Sequence, residues 1–154
     1  MSKIQFSINL AASPKQLLEV VKDYENYPFY LPDQIKNVEI IKKDNEDVIT
    51  EEVFIFKTII KKEIKQESKH KIVDNQAMIE ILSGPAKNSS INVLFEEIES
   101  GSHISINIDL KLGLKGKIFS PLIKKYYPII LTGVFYKMNT KALEIMVDWK
   151  IWMI

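Results

Sequence analysis

Over the first ten positions Ile4, Phe6, Ile8 and Leu10 alternate with Gln5, Ser7 and Asn9. A period of two is that of a strand with one buried face. Ser13-Pro14-Lys15-Gln16 then supplies an N-cap, a proline at the first helical position and a capping-box glutamine. It predicts a helix ending near Asp23, with Leu17, Leu18 and Val21 turned inward. Next comes Asp23-Tyr24-Glu25-Asn26-Tyr27-Pro28-Phe29-Tyr30-Leu31-Pro32. Its two prolines fix φ and oppose a continuing helix, so Tyr27, Phe29, Tyr30 and Leu31 sit on a rigid connector. Such a connector either lines a cavity like a lid or plugs one end of a core.

Beyond the bend, 35–43 and 48–57 are β-rich runs separated by Asp44-Asn45-Glu46-Asp47, the spacing of a hairpin. From Lys61 to Ile72 the two parities differ sharply. One reads Lys61, Glu63, Lys65, Glu67, Lys69 and Lys71, and the other reads Lys62, Ile64, Gln66, Ser68, His70 and Ile72. The cost of burying charge turns the first row to solvent, which sends Gln66, Ser68 and His70 inward between Ile64 and Ile72. Either this end of the strand runs past the core into water, or the trio meets water or a ligand inside.

Further turns at 73–76 and 100–102 and a loop at 83–88 separate strands over 77–82, 89–99 and 104–114. In the last of these, Ile104, Ile106, Ile108, Leu110, Leu112 and Leu114 share one parity, while His103 falls on the polar one beside a turn and reads as a surface residue. Ser120-Pro121 repeats the capping device, and Ile123, Tyr127, Ile130, Leu131, Val134, Met138, Ala142 and Ile145 recur at helical spacing. A long helix over 121–148 is predicted, kinked at Pro128. No repeat or linker interrupts 1–154, so one domain is expected.

Composition removes several classes of function. There is no cysteine, hence no disulfide, thiolate metal site or cysteine nucleophile. All 21 basic residues are lysine, and without a guanidinium the bidentate instrument for phosphate or guanine is missing, so no nucleic-acid partner is expected. No signal-peptide pattern follows Met1-Ser2-Lys3 and no apolar run approaches the roughly 20 residues that span a bilayer, so a cytoplasmic protein, at most peripheral to a membrane, is expected. No paired carboxylates, nucleophile with a base, metal spacing or phosphate loop stands out, and neither a cofactor nor a metal is expected. His70 is the one candidate for catalysis, as a general base near Ser68 and Gln66, although its own parity offers no carboxylate to orient it.

The order strand, helix, proline-rich bend, six strands and long helix resembles the helix-grip fold. In detail, Ala11-Ala12-Ser13-Pro14 through Pro32 and Leu82-Ser83-Gly84-Pro85 are similar to the START-like SRPBCC superfamily, above all its coenzyme Q-binding and polyketide cyclase/dehydrase-type members. The resemblance implies an α+β fold in which a curved antiparallel sheet of about seven strands wraps the C-terminal helix, with two short helices between the first two strands. It also implies a tunnel for an apolar molecule, with the bend at its entrance. Val93 or Leu94 stands where quinone-binding relatives tend to carry tryptophan.

The function expected on this basis is binding and transport of a hydrophobic small molecule, such as a lipid, an isoprenoid quinone or a polyketide-like compound, in a cavity between sheet and C-terminal helix. The alternatives are a cyclase/dehydrase-like enzyme using His70 and a docking protein. The expected walls are Tyr27, Phe29, Tyr30, Phe54, Phe56, Phe95, Leu131, Val134, Phe135 and Met138, with Gln66, Ser68 and His70 at the polar end. Gly133 is expected to leave cavity space or admit close packing. Lys115, Lys117, Phe119, Lys124 and Lys125 form a candidate patch for an anionic bilayer, and the apolar end Trp149 to Ile154 a candidate homodimer contact.

Overall fold

A computed structural model of the chain describes residues 2–56, 62–113, 128–129 and 131–144. Its elements run in the order β1 (Ser2–Leu10), α1 (Pro14–Val21), a single 3₁₀ turn (Tyr24–Asn26), α2 (Tyr27–Tyr30), β2 (Ile35–Asp44), β3 (Asp47–Phe56), β4 (Lys62–Val73), β5 (Gln76–Ile81), β6 (Ser90–Ile98) and β7 (Gly101–Leu110). A C-terminal helix, α3 (131–144), follows. The fold is thus α+β, with the two short helices α1 and α2 between the first two strands as expected.

The capping box forms at the start of α1, where Ser13 Oγ accepts from the Gln16 N–H at 3.2 Å and Gln16 Oε1 accepts from the Ser13 N–H at 2.7 Å. Leu17, Leu18 and Val20 are buried by this helix, whereas Val21, expected inward, is only half-buried. The helix also stops at Val21, two residues short of the expected end.

All strand pairs are antiparallel, in the order β1-β7-β6-β5-β4-β3-β2. From β2 to β7 each strand lies beside its sequence neighbour, and β1 closes on β7. The link from β1 to β2 therefore carries α1 and α2 from one edge of the sheet to the other. Two-residue loops join β2 to β3, β4 to β5 and β6 to β7, and the first two place Asn45 and Asp74 at φ of 51° and 53°, which short polar side chains tolerate. Gly101 has φ of 139°, and a Cβ there would stand 2.1 Å from the Leu10 carbonyl oxygen, so only glycine lets β7 start against the end of β1.

One face of the sheet carries the core. Ile104, Ile106, Ile108 and Leu110 of β7 pack with Ile4 and Leu10 of β1 and with Val93 and Phe95 of β6. Phe135, Met138 and Ala142 of α3 are buried in the same cluster. The strand expected over 104–114 ends sooner, at Leu110, because Ser89 takes over the pairing: its Oγ accepts from the Lys111 N–H at 2.8 Å and donates to the Lys111 carbonyl at 3.1 Å. The charged row of β4 turns outward, and Lys65 and Lys69 meet Glu51 and Asp47 of β3 at 3.2 and 3.7 Å. Exposed pairs of this kind add little stability. Among the described residues no helix is long and apolar enough to cross a membrane.

Candidate functional site

The inner face of the sheet changes character at β3 and β4. Strand pairing sets Thr50 opposite Ser68, Glu52 opposite Gln66 and Val48 opposite His70. Because side chains alternate along a strand, Thr50 and Glu52 project to the same side as Phe54, and meet Gln66, Ser68 and His70 there. Four of these polar residues are buried: Thr50 0%, Ser68 1%, Glu52 5% and His70 7% exposed. The β5–β6 loop clamps this part of β4, since Ser83 Oγ accepts from the Glu67 N–H at 2.9 Å and the Leu82 N–H donates to the Glu67 carbonyl at 2.8 Å.

Within the cluster, His70 Nε2 and Thr50 Oγ1 share a hydrogen bond of 2.8 Å whose direction follows the imidazole tautomer. Gln66 Nε2 donates to Ser68 Oγ at 3.1 Å. Glu52 Oε1 lies 3.8 Å from His70 Nε2, while Glu52 Oε2 is buried with no hydrogen-bond partner among the described residues. Burial pushes the Glu52 carboxyl up to about 7, against hydrogen bonds from Ser68, Thr50 and its own backbone that favour the carboxylate, and Glu67 adds to the rise. Burial likewise lowers His70 to about 4. The imidazole is therefore neutral at neutral pH, and the contact with Glu52 is not an ion pair there.

Aromatic residues of the bend roof the cluster. The Tyr24 ring lies 4.4 Å from that of His70, centroid to centroid and tilted 36°, and 5.7 Å from Tyr27. Tyr27 donates its hydroxyl hydrogen bond to the Val21 carbonyl, and Tyr30 donates to Asp23 Oδ2 at 2.5 Å, so both rings fold back onto the end of α1. Burial raises Tyr24 to about 12. The same cause lifts Tyr27 well above its ordinary value, with Tyr24, Glu52, Asp23 and Tyr30 adding to it. Tyr30 rises to about 12 through burial first and its Asp23 partner second.

The residues expected from sequence divide as follows. Ser68 and His70 are inward and buried, and Gln66 is half-buried beside them. Phe95, Phe135 and Met138 are in the core, with Tyr27, Tyr30, Phe54, Leu131 and Val134 half-buried against it. Phe29, expected on a wall, instead points to solvent at 79% exposed. In the single turn of α2, Tyr27 and Tyr30 stand three apart and share one face, which leaves Phe29 on the other. Gly133, expected to make room inside or permit close packing, is exposed on α3 with nothing within 4 Å of a Cβ placed there. His103 is at the surface as expected, with Nδ1 2.5 Å from Asn9 Oδ1 on β1. The side chain of Phe56 lies outside the described residues, as do Lys115, Lys117, Phe119, Lys124, Lys125 and the segment from Trp149 to Ile154.

Thr50, Glu52 and Tyr24 belong to the site without having been expected there. Glu52 supplies the carboxylate that the parity of β4 lacks, and it does so from the neighbouring strand. A signal for it exists in the sequence, since Phe54 is expected inward and Glu52 lies two residues before it. Among the described residues no three His, Cys, Asp or Glu converge as metal ligands.

No family model and no curated protein matches the chain by sequence. Solved structures do match it in shape. The protein TTHA0849 from Thermus thermophilus aligns with a TM-score of 0.78 at 12% identity, over 93% of this chain and 98% of that one. The ZhuI aromatase/cyclase from Streptomyces sp. R1128 aligns with a TM-score of 0.72 at 12% identity, over 90% and 93% of the two chains. A START superfamily protein from Mycobacterium smegmatis aligns with a TM-score of 0.68 at 19% identity, over 96% and 97%. Seven antiparallel strands in this order, two short helices between the first two of them and a C-terminal helix on the inner face make this a START-like helix-grip fold.

Proposed function

We propose that the protein binds an apolar small molecule between the inner face of the sheet and α3, with the molecule's polar end at Thr50, Glu52, Ser68 and His70. One observation carries this reading: a buried polar cluster interrupts an otherwise apolar sheet face directly under the aromatic bend. A closed core gains nothing from such a cluster, because an unpartnered carboxyl oxygen costs free energy that a leucine in its place would not. A ligand offsets that cost by supplying the missing partner, and the apolar remainder gains about 25 cal/mol per Å² of its surface removed from water. A lipid and a polyketide-like molecule both satisfy this description. Native mass spectrometry of the purified protein, before and after organic extraction, tests it. A bound organic mass that extraction removes and added lipid extract restores is the expected result; the bare chain mass under every condition would overturn the reading.

Catalysis is the second reading, and the separation of 3.8 Å between Glu52 and His70 favours it. A carboxyl at about 7 beside a neutral imidazole is suited to moving a proton near neutral pH. The aromatase/cyclase of the same fold makes polyketide-like substrates the first to try. Turnover abolished by both Glu52→Gln and His70→Gln in folded protein would establish this reading, and turnover that survives both would remove it.

A further inference from the structure

Glu52 Oε2 is the one fully buried side-chain atom of the polar cluster left without a partner among the described residues. The residue is 5% exposed, so bulk water does not serve it. Ser68 receives a hydrogen bond from Gln66, which leaves the Ser68 hydroxyl proton free to favour the Glu52 carboxylate, as the Thr50 hydroxyl does. Even so, Oε2 is left without a partner among the described residues. What this oxygen lacks is a donor, and His70 Nε2, 3.8 Å from Oε1, is already engaged with Thr50.

Charge sharpens the requirement. Every lysine whose side chain is described is at least partly exposed, so none of these is buried beside Glu52. His70 does not carry a positive charge at neutral pH. Tyr24 and Tyr27 above the cluster are neutral there as well. A carboxylate or phosphate entering this site would stand beside a carboxyl group with no described cation to balance it in a desolvated setting.

We propose that Glu52 receives the hydrogen-bond-donating end, a hydroxyl or an ammonium, of an otherwise apolar ligand, and that the cluster rejects anionic and acceptor-only ends. This rests on the binding reading above and names the ligand class for it. The site then sorts amphiphiles by their heads: long-chain or polycyclic alcohols, phenols and amines enter, while fatty acids do not.

The test is calorimetric titration of the full chain with a matched set, decanol, decylamine, decanoate and methyl octyl ketone, at about pH 8, above the Glu52 value of about 7. Decanol or decylamine should bind roughly tenfold or more tightly than decanoate and the ketone, as expected for a hydrogen bond to a charged group. Decanoate or the ketone binding as tightly as both donors overturns the inference while leaving the binding reading intact. No binding by any of the four overturns the binding reading and the inference together. In Glu52→Gln the gap between decanol and decanoate should fall to within about twofold, and an undiminished gap in the folded variant overturns the role of Glu52. Should that variant fail to fold, the wild-type rank order still decides.

Discussion

Glu52 and His70 are driven by burial in opposite directions, and stability should record both. Glu52 moves from the usual 4.5 to about 7. Between those values the folded protein keeps a proton that the unfolded chain has lost, so this group removes stability as pH rises. His70 moves from the usual 6.5 to about 4. Here the unfolded chain holds the extra proton, and stability rises with pH until about 6.5. In the wild type the two slopes oppose and largely cancel. Glu52→Gln should expose the His70 slope and gain stability from about pH 4 to 6.5, whereas His70→Gln should lose stability from about pH 4.5 to 7, on the order of 3 kcal/mol at 1.36 kcal/mol per pKa unit. Urea denaturation across pH checks this, and slopes of the same sign in the two variants would contradict it. His70, Ser68 and Gln66 are legible in the sequence because one strand's parity displays them. Glu52 is harder to see, because beside Glu51 it reads as solvated, and its shared parity with Phe54 gains meaning only once strand pairing sets it opposite Gln66.

At the scale of elements, the bend owes its shape to hydrogen bonds that no periodicity encodes. Its composition points to a rigid aromatic connector, but which rings turn inward depends on α2 being helical. That single turn puts Tyr27 and Tyr30 against the core and leaves Phe29 outside. Tyr27→Phe removes the bond to the Val21 carbonyl and should cost about 1 kcal/mol in denaturant unfolding, whereas Phe29→Ser should be nearly neutral. Equal losses in the two variants would contradict the assignment of inner and outer faces. Gly133 teaches the same lesson on α3, where it shares the exposed side with Tyr136, about one helical turn on. The capping box at Ser13 is legible because it is local, a matter of four consecutive residues. Ser13→Ala should cost about 1 kcal/mol, measured in the same way.

For the whole molecule, the order of elements is the legible quantity, and it suffices for the helix-grip fold. What the chain's local patterns leave open is how the ends of the sheet meet. The pairing of β1 with β7 joins residues about a hundred positions apart, as Ser7 with Ser105, and no local pattern announces it. Gly101 marks that junction. Gly101→Ala would drive a methyl group into the Leu10 carbonyl and should lower the melting temperature by several degrees or prevent folding. An unchanged melting temperature would contradict the close approach of β7 to β1.

The sheet and α3 then face one another across a core whose β3–β4 side is polar, and the central claim is that a ligand's head sits there. Methyl NMR of the labelled protein titrated with decanol reports on it directly. Shift changes are expected to concentrate on the inward methyls of Thr50, Ile81, Leu131 and Met138, with contacts from the decanol head to Thr50. Changes confined to the outward Ile41 and Leu94, or none at all at saturating decanol, would contradict it.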